Sequence, residues 1–438
     1  MAVLKCASIF LCFLLAPKFS LARDYRCALE ENKCLFRDVQ LKTSDSLVKA
    51  TFSSSSSNSP TKSVKFESSS MVQLPAAIFQ RFPDVEVIDG SFSGIKTLPS
   101  GSFSSARSVR EVHLAGNKIS MLVNNLFDGA ARINNIDLAQ NDISDVEANA
   151  FSGLNQLKML NLSNNRIALL SPNVFSALTE VEVVELQNNL LSKIDDGLFT
   201  ACTSLITLNV SHNALQKFEL RQFLREWSVD AIDVSYNRLK TVGIPKNLRK
   251  LVASNNQIQS VEVFGKEPSV IFLRLSHNKL TSVDQIPNLN KLVTLDVSYN
   301  ELETFDFNSV TKFKNLILLK LDGNKISTIS NTLPSDVRYL KYIHLAHNRL
   351  ARLDMDTFRT LPRIIKLDLG YNQLTELSAK RISDKFPVLV RLILDGNDFR
   401  CDQLGELTKE LKYAITEYKS TVEKCKTGQR LLNGICCK

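Results

Sequence analysis

Residues 157–167 read LKMLNLSNNRI and residues 292–302 read LVTLDVSYNEL, two copies of one pattern, LxxLxLxxN followed by an aliphatic residue. The asparagine of this pattern recurs along most of the chain, at Asn117, Asn141, Asn165, Asn189, Asn213, Asn237, Asn256, Asn278, Asn300, Asn324, Asn348, Asn372 and Asn397. A phenylalanine recurs at the 24-residue spacing of the first copies, at Phe79, Phe103, Phe127, Phe151, Phe175, Phe199 and Phe223. Such regular self-similarity predicts an array of stacked repeats.

Each copy of the pattern predicts one short strand that ends at its asparagine. Leu160 and Leu162, before Asn165, point inward because side chains alternate along a strand. The asparagine amide can then satisfy backbone groups of neighbouring turns. One copy cannot bury its own apolar face, but stacked copies can. We therefore predict a repeat solenoid, a leucine-rich repeat horseshoe with a concave parallel β-sheet and about fifteen repeats, two of them degraded copies at Ser69 and Ser93. The phenylalanines are expected to pack the convex side.

The first 22 residues have the features of a secretory signal peptide. Lys5 precedes the apolar run 7–16, and Ser20 and Ala22 supply the small residues of a cleavage site. A membrane anchor is the weaker alternative, because the run is far shorter than the ~20 residues that span a bilayer. We expect cleavage after Ala22, secretion, an extracellular location without a membrane anchor, and conditions that permit disulfides.

The mature chain is predicted to have three parts. Residues 23–60 form an N-terminal cap with a Ser-rich loop, residues 61–400 the solenoid, and residues 401–438 a helical C-terminal cap with a cysteine cluster. The serine-rich stretch 51–70 is expected to loop around the first weak strand. Apolar residues at steps of three or four predict a helix over 402–424 that covers the last repeat. A short coiled-coil seam is the alternative for this last segment.

Six cysteines cluster at the two ends of the mature chain and are expected to form disulfides. They are Cys27, Cys34, Cys401, Cys425, Cys436 and Cys437. The first two can close a small loop. The adjacent pair, Cys436 and Cys437, can each take either Cys401 or Cys425, so two pairings stay open. Alternatively, one cysteine of the adjacent pair reaches another chain.

Neither the composition nor the motifs indicate catalysis. Lys+Arg 54 against Asp+Glu 45 gives a net charge of +9 without a basic run, which disfavours nucleic acid as a partner. The sequence has no nucleophile-elbow, zinc-protease or phosphate-loop motif. His344 and His347 fall on opposite sides of a strand unless the chain turns, and Cys202 stands where other repeats carry Ala or Leu. We therefore expect a non-enzymatic protein without catalytic, metal-binding or cofactor-binding residues.

The outward strand positions, six, four and two residues before each asparagine, change character along the chain. The early repeats are polar there and carry the glycosylation sequons of Asn161 and Asn209, which are predicted to bear glycans. Apolar and basic residues follow where the repeat interval falls to 19 and 22 residues. We predict a ligand-binding surface formed by Val252, Phe272, Arg274, Leu318, Lys320 and Tyr342. Scattered surface hydrophobic residues are the alternative interpretation.

Three further features resemble a known family when taken together. They are the start Tyr25-Arg26-Cys27, the leucine-rich array, and the adjacent Cys436 and Cys437 after a capping helix. They resemble the leucine-rich immune proteins of mosquitoes, whose longer members continue into a coiled coil after the double cysteine. This sequence stops one residue after Cys437 and so looks like the coil-less type. The resemblance implies a role in haemolymph innate immunity, with a complement-like thioester protein as partner.

The sequence thus predicts a secreted recognition protein that binds a macromolecule and performs no chemistry. Its expected partner is an extracellular protein, by resemblance a complement-like one, or a microbial glycan or lipid recognised directly. The alternative is an extracellular-matrix or adhesion protein, which would associate stably with tissue matrix rather than circulate. With the cap cysteines paired internally, we expect a monomer.

Overall fold

The structure is a computed structural model. It describes residues 23–43, 50–54, 60–218, 229–333, 336–378, 382–415, 417–418, 425 and 427–438. The predicted signal peptide and Phe223 lie outside the described residues. The chain divides into two compact units, Met1–Leu157 and Lys158–Lys438, and each contains its own run of parallel strands.

Where the structure describes the first unit, it forms strands β1 to β11 and a short helix, α1. Their bounds are Arg23–Glu30, Lys33–Arg37, Gln40–Leu41, Ala50–Ser54, Ser63–Glu67, Ser70–Met71, Val87–Asp89, Glu111–His113, Met121–Leu122, Asn135–Asp137 and Asp145–Val146 for the strands, and Ala77–Arg81 for α1. The main sheet has the order β4-β1-β2-β5-β7-β8-β10. Among its described pairings, only the β1–β2 hairpin is antiparallel. Two separate parallel pairs, β3–β6 and β9–β11, lie on the return segments.

The described residues of the second unit form strands β12 to β30, helices α2 and α3, and three 3₁₀ turns. The strands are Met159–Asn161, Val183–Glu185, Thr207–Asn209, Ala231–Asp233, Thr241–Pro245, Lys250–Val252, Ser260–Phe264, Phe272–Arg274, Thr294–Asp296, Thr304–Asp306, Leu318–Lys320, Thr328–Ser330, Tyr342–His344, Arg352–Asp354, Lys366–Asp368, Glu376–Ser378, Arg391–Ile393, Arg430–Leu432 and Ile435–Cys437. The helices are Ile382–Lys385 and Cys401–Ala414, and the 3₁₀ turns are Val283–Gln285, Phe307–Val310 and Met355–Phe358.

The main sheet of the second unit is parallel throughout the described residues. Its order is β12-β13-β14-β15-β17-β19-β20-β22-β24-β26-β28. The return segments form the parallel pairs β16–β18, β21–β23 and β25–β27, and β29–β30 is an antiparallel hairpin. With about fourteen turns and disulfides at both ends, the structure confirms the predicted repeat solenoid; the sequence predicts about fifteen turns.

The repeat asparagine explains how each turn closes without unpaired backbone groups. In the turn of Asn189, the side-chain Nδ2 donates to Leu162 O of the preceding turn at 2.9 Å and to Leu186 O at 3.1 Å. Its Oδ1 accepts from Ile167 N at 3.0 Å. Because these backbone groups are buried, each would otherwise cost about 1–3 kcal/mol. The amide thus does what the sequence predicts for it.

The phenylalanine series fills the core of the return segments. Phe79, Phe103, Phe127 and Phe151 are fully buried in the first unit, where successive ring centroids are 5.0–6.2 Å apart. Phe175 and Phe199 continue this packing in the second unit at 5.8 Å. Where the series lapses, other rings such as Phe307 and Phe358 occupy the core, 5.4 Å apart.

The N-terminal cap differs from the prediction in its serine-rich stretch. Cys27 and Cys34 form a disulfide across the β1–β2 hairpin. The stretch predicted as a loop contributes two strands instead, because β4 pairs with β1 and β5 pairs with β2. The reason is that Phe52, Val64 and Phe66 are buried and alternate with polar residues, so that Ser53 and Ser63 take outward positions on these strands.

The C-terminal helix is shorter than predicted. It ends at Ala414, and Ile415 already has an extended conformation. The helix prediction over 402–424 is therefore wrong beyond Ala414 in the described part of this segment. Glu417 continues the sheet instead, since its N–H donates to Val390 O at 3.0 Å and its carbonyl accepts from Leu392 N at 2.9 Å. Tyr418 is buried beside this bridge, so its apolar spacing reflects a covered sheet edge rather than a helix face.

The remaining cap cysteines adopt one of the two pairings left open by the sequence. Cys401 at the start of α3 pairs with Cys437 on β30, and Cys425 pairs with Cys436. Cys202 is buried and unpaired, and burial raises the pKa of its thiol to about 12. That thiol therefore behaves as a small apolar side chain. Over the residues that the structure describes, none of the helices reaches the length and apolarity required to span a bilayer.

Candidate functional site

The six residues predicted to bind a ligand lie on neighbouring strands of the second unit's sheet. Val252 lies on β17, Phe272 and Arg274 on β19, Leu318 and Lys320 on β22, and Tyr342 on β24. The strand register aligns Phe272 with Thr294 of β20, Thr294 with Leu318, and Leu318 with Tyr342. The three apolar side chains therefore share one row. Phe272 and Leu318 are half-buried and Tyr342 is exposed at 36%, which makes the row a candidate contact surface.

Two of these residues, the cations Arg274 and Lys320, are already paired within the sheet. Asp296 lies between them on β20, and its carboxylate is 3.5 Å from Arg274 Nε and 3.9 Å from Lys320 Nζ. The same carboxylate accepts hydrogen bonds from the backbone N–H and the hydroxyl of Ser298, at 3.1 and 2.6 Å. The Arg274 guanidinium also lies 5.2 Å from the ring centroid of Phe272. These two charges are thus partly compensated before any ligand arrives.

A second polar cluster lies beside the apolar row. The carboxylate of Asp322 lies 3.9 Å from the imidazole Nδ1 of His344 and accepts a hydrogen bond from Ala346 N at 2.9 Å. Burial, reinforced by the charges of Asp368 and Asp296, raises the pKa of the Asp322 carboxyl to about 6. Burial lowers the pKa of His344, and Lys366 lowers it further. Burial therefore favours the neutral form of both side chains.

Replacing Asp322 with Asn is expected to stabilise the protein above pH 6. The folded-state pKa of about 6 exceeds the ordinary value of 3.8, so between these values the folded chain holds the extra proton and stability falls as pH rises. The amide keeps an acceptor for Ala346 N but has no charge to desolvate. The variant should gain on the order of 2 kcal/mol over the wild type at pH 7.5 and nothing at pH 3.5. Denaturant unfolding at both pH values measures this; an equal difference at both would contradict it.

We define the central row as the residues four positions before each repeat asparagine. Its acidic residues close the turns at the ends of the strands and do not form a catalytic pair. Asp137, Asp233 and Asp368 each accept a hydrogen bond from the N–H two residues later, at 3.0, 2.8 and 3.1 Å. Asn161 and Asn209 of the sequons accept the same bond at 3.1 Å. This arrangement is an Asx turn. Among the described residues, no group of three or more His, Cys, Asp or Glu side chains could hold a metal ion.

In three places a histidine directly before one repeat asparagine stacks on a tyrosine directly before the next. His212 stacks on Tyr236 at 4.0 Å between centroids, and His347 stacks on Tyr371 at 4.5 Å. All four residues have φ between 52° and 56°, the left-handed conformation that the turn imposes. His347 therefore stands in a stack while His344 lies on the sheet face, so the two do not converge on one site. The sequence shows the shared slot but not the stacking.

The sequence gives no signal for a cleft between α3 and the pair β25–β27. It has a volume of about 990 Å³ and a floor that includes Leu353, Leu377 and Leu404. Its rim carries both signs of charge, and Arg352 Nε lies 3.9 Å from the Glu376 carboxylate. This rim therefore has no clear electrostatic preference for a partner.

Two family models match the chain. The model described as "Leucine rich repeat" matches residues 131–183, 179–239 and 338–399, and that described as "BspA type Leucine rich repeat region (6 copies)" matches residues 32–143. Together they cover more than half of the chain. The chain is a leucine-rich repeat protein. Its strands, asparagines and buried leucines are the features of that family already seen in the fold.

Curated relatives match this leucine-rich repeat protein over short stretches. Tsukushi from Gallus gallus is 36% identical over 93 residues, which are 21% of this chain and 25% of Tsukushi. Lumican from Mus musculus is 30% identical over 139 residues, which are 31% of this chain and 40% of Lumican. The chain thus spans well under half the length of these relatives.

Two solved structures match nearly the whole chain. The APL1 leucine-rich repeat domain superposes with a TM-score of 0.69 at 26% identity, over 95% of this chain and 99% of that one. The LRIM1/APL1C complex gives a TM-score of 0.71 at 26% identity, over 95% of this chain and 71% of that one. The fold of this leucine-rich repeat protein is therefore similar to theirs over 95% of this chain.

Proposed function

We propose that this protein is a secreted recognition protein of innate immunity that binds an extracellular protein through the sheet of its second unit. The observation that carries the proposal is the row formed by Phe272, Leu318 and Tyr342, three apolar side chains left partly open to solvent on an ordered sheet. Interfaces draw most of their affinity from a few such anchors. Because the acids of the central row cap turns, the surface suits binding rather than catalysis.

The binding of a protein partner is supported by likeness to proteins solved in a complex. The fold matches the LRIM1/APL1C complex over 95% of the chain, and that structure is an assembly of two different proteins. By the resemblance given above, the expected partner is a complement-like thioester protein in haemolymph. Glycans on Asn161 and Asn209 are part of the proposal and would leave the later strands, which lack sequons, as the open surface.

A matrix or adhesion protein is the second candidate function. It is favoured by the matches to Lumican and Tsukushi, which are made through the repeats. Affinity capture from body fluid before and after microbial challenge distinguishes the two candidates. A complement-like protein among the captured partners favours the immune role; matrix components alone would contradict it.

The double variant Phe272→Ala/Leu318→Ala should lose its captured partner while keeping its melting temperature. Each truncation is expected to weaken binding by about 1–3 kcal/mol, because anchor side chains dominate such interfaces. Both side chains point out of the core, so stability should change little. Surface plasmon resonance and thermal unfolding measure the two effects.

The matched control is Leu169→Ala/Leu190→Ala, which removes two exposed leucines that follow their repeat asparagines rather than lie on the sheet strands. It should bind like the wild type. If the Phe272/Leu318 variant folds and binds with unchanged affinity, the binding site lies elsewhere.

A further inference from the structure

Charge on the second unit's sheet is unevenly distributed. We define the basic margin as the residues nine, seven and six positions before the repeat asparagine in the seven turns from Asn256 to Asn397. These residues lie at and just before the starts of β17, β19, β20, β22, β24, β26 and β28. Within the basic margin there are seven Lys or Arg residues and no Asp or Glu. The same positions in the preceding turns of this unit include Glu180, Glu182 and Asp230.

Most cations of the basic margin have no carboxylate partner among the described residues, although Lys250 Nζ lies 5.8 Å from the ring centroid of Phe272. Arg249 pairs with Asp230 at 3.4 Å and Arg391 with Glu417 at 3.4 Å. The other five, Lys250, Lys291, Lys341, Arg363 and Lys366, make no ion pair with any described residue. They differ in this from Arg274 and Lys320, whose charges face Asp296. The positive charge available to a ligand therefore lies at the strand starts and not in the central row.

The basic margin also contains apolar side chains in a shaped depression. A cleft of about 390 Å³ is lined by Val293, Ile317 and Tyr339, with Asn315 and the two lysines Lys291 and Lys341. Ile271 and Ile365 are half-exposed further along the same margin, beside Phe272 and Lys366. The cleft suits one or two apolar side chains with a negative charge on either side.

We infer that the basic margin binds an extended acidic segment of a partner protein, in which carboxylates alternate with apolar side chains. This inference rests on the proposed function and names the chemistry of its partner. The carboxylates meet Lys291, Lys341 and Lys366, and the apolar side chains enter the cleft and contact the row of Phe272 and Leu318. Complementary charge of this kind sets specificity and speeds association.

The length of the basic margin favours a polypeptide over a single anionic headgroup. From Lys250 on β17 to Lys366 on β26 there are five strand steps of about 4.8 Å, roughly 24 Å. An extended chain covers that distance with about seven residues. A phosphate or sulfate group would meet only one or two of these cations.

The test uses the full-length secreted protein and two synthetic nine-residue peptides, one alternating Glu with Leu and the other alternating Lys with Leu. Fluorescence anisotropy should show the Glu peptide binding at least tenfold more tightly than the Lys peptide, with affinity falling as salt rises. In the variant Lys291→Glu/Lys341→Glu/Lys366→Glu, Glu-peptide binding should fall at least tenfold. Equal binding of both peptides would overturn the inference.

The matched control is Lys118→Glu/Lys193→Glu/Lys279→Glu, which makes the same charge change at three exposed lysines outside the basic margin. It should leave Glu-peptide binding within twofold of the wild type; an equal loss in this control would mean that net charge alone acts, and would overturn the inference. If the triple reversal fails to fold, Lys291→Gln/Lys341→Gln/Lys366→Gln replaces it, with the same tenfold loss expected.

Phosphatidylserine vesicles are the third probe. Vesicle binding that needs the three lysines, without Glu-peptide binding, would overturn the inference in favour of a lipid.

The same variants separate this inference from the proposed function. In capture from body fluid, both the lysine reversal and Phe272→Ala/Leu318→Ala should lose the partner. If only the Phe272/Leu318 variant loses the partner, the inference of an acidic partner is wrong and the proposed binding site is supported. If both variants keep the partner, the proposed function on this sheet fails as well.

Discussion

Replacing Cys401 and Cys437 together with Ser is expected to lower the free energy of unfolding by about 4 kcal/mol. This disulfide closes a loop of 36 residues, the longest of the three in the described chain. In the chain-entropy account, a cross-link stabilises by restricting the unfolded chain, and the effect grows with the logarithm of the loop. A loss of this size is a large share of the stability of an ordinary domain.

The bond also holds the cap against the last turn. Cys401 N donates to Lys438 O at 2.9 Å, and Lys438 N donates to Phe399 O at 2.8 Å. Leu404 and Leu411 of α3 are buried under this closure. Without the disulfide, the cap can open and expose the apolar edge of the last repeat, which a solenoid must keep covered.

The other two disulfides provide the controls. Cys425–Cys436 closes 11 residues and Cys27–Cys34 closes 7, so their removal should cost about 3 and about 2 kcal/mol. Denaturant unfolding of the three double-Ser variants measures the order of the three losses, and a reversed order would contradict the loop-length argument.

On non-reducing gels the wild type should run as a monomer, since all four C-terminal cysteines pair internally. A disulfide-linked dimer lost on Cys437→Ser would contradict that expectation.

The repeat itself could be predicted from the sequence because its rules are local. Alternation along a three-residue strand places Leu160 inside, and the Asn that follows each strand meets backbone groups at a fixed distance along the chain. The helix end could not be predicted in this way. Ile415 and Tyr418 continue the apolar spacing of α3, yet both are buried on either side of Glu417, which pairs with Arg391 of β28. Only the fold reveals that this strand edge is there.

The candidate site could be predicted only in part for a related reason. Period-two alternation identifies Phe272, Leu318 and Tyr342 as outward residues. Whether a cation is free depends on its neighbours across the sheet, which lie about 22 residues away in sequence. Asp296 compensates Arg274 and Lys320 through such a lateral contact, while Lys291 and Lys341 form no ion pair with the described part of the chain. An outward position therefore predicts exposure, and the register of adjacent strands decides the electrostatics.

Truncating Leu160 to Ala is expected to cost about 2–5 kcal/mol of unfolding free energy, whereas truncating its neighbour Met159 should cost less than about 0.5 kcal/mol. Both residues lie on β12, but Leu160 is fully buried and Met159 is 42% exposed. Removing the Leu160 side chain leaves a cavity between stacked turns, because Val184, its partner on β13, cannot move inward without leaving the sheet register. Truncating Met159 removes a side chain that is largely in contact with solvent, so it leaves no cavity in the core.

The pair tests the strand register directly, since a shift by one residue would exchange the two positions. Denaturant unfolding of both single variants gives the two free energies of unfolding. An unchanged slope of free energy against denaturant concentration would show that the surface area exposed on unfolding is the same as in the wild type. A Met159→Ala cost equal to that of Leu160→Ala would mean that the outward residues are core. The same alternation places the row of Phe272, Leu318 and Tyr342 on the surface. That row would then belong to the core and could not be a binding surface.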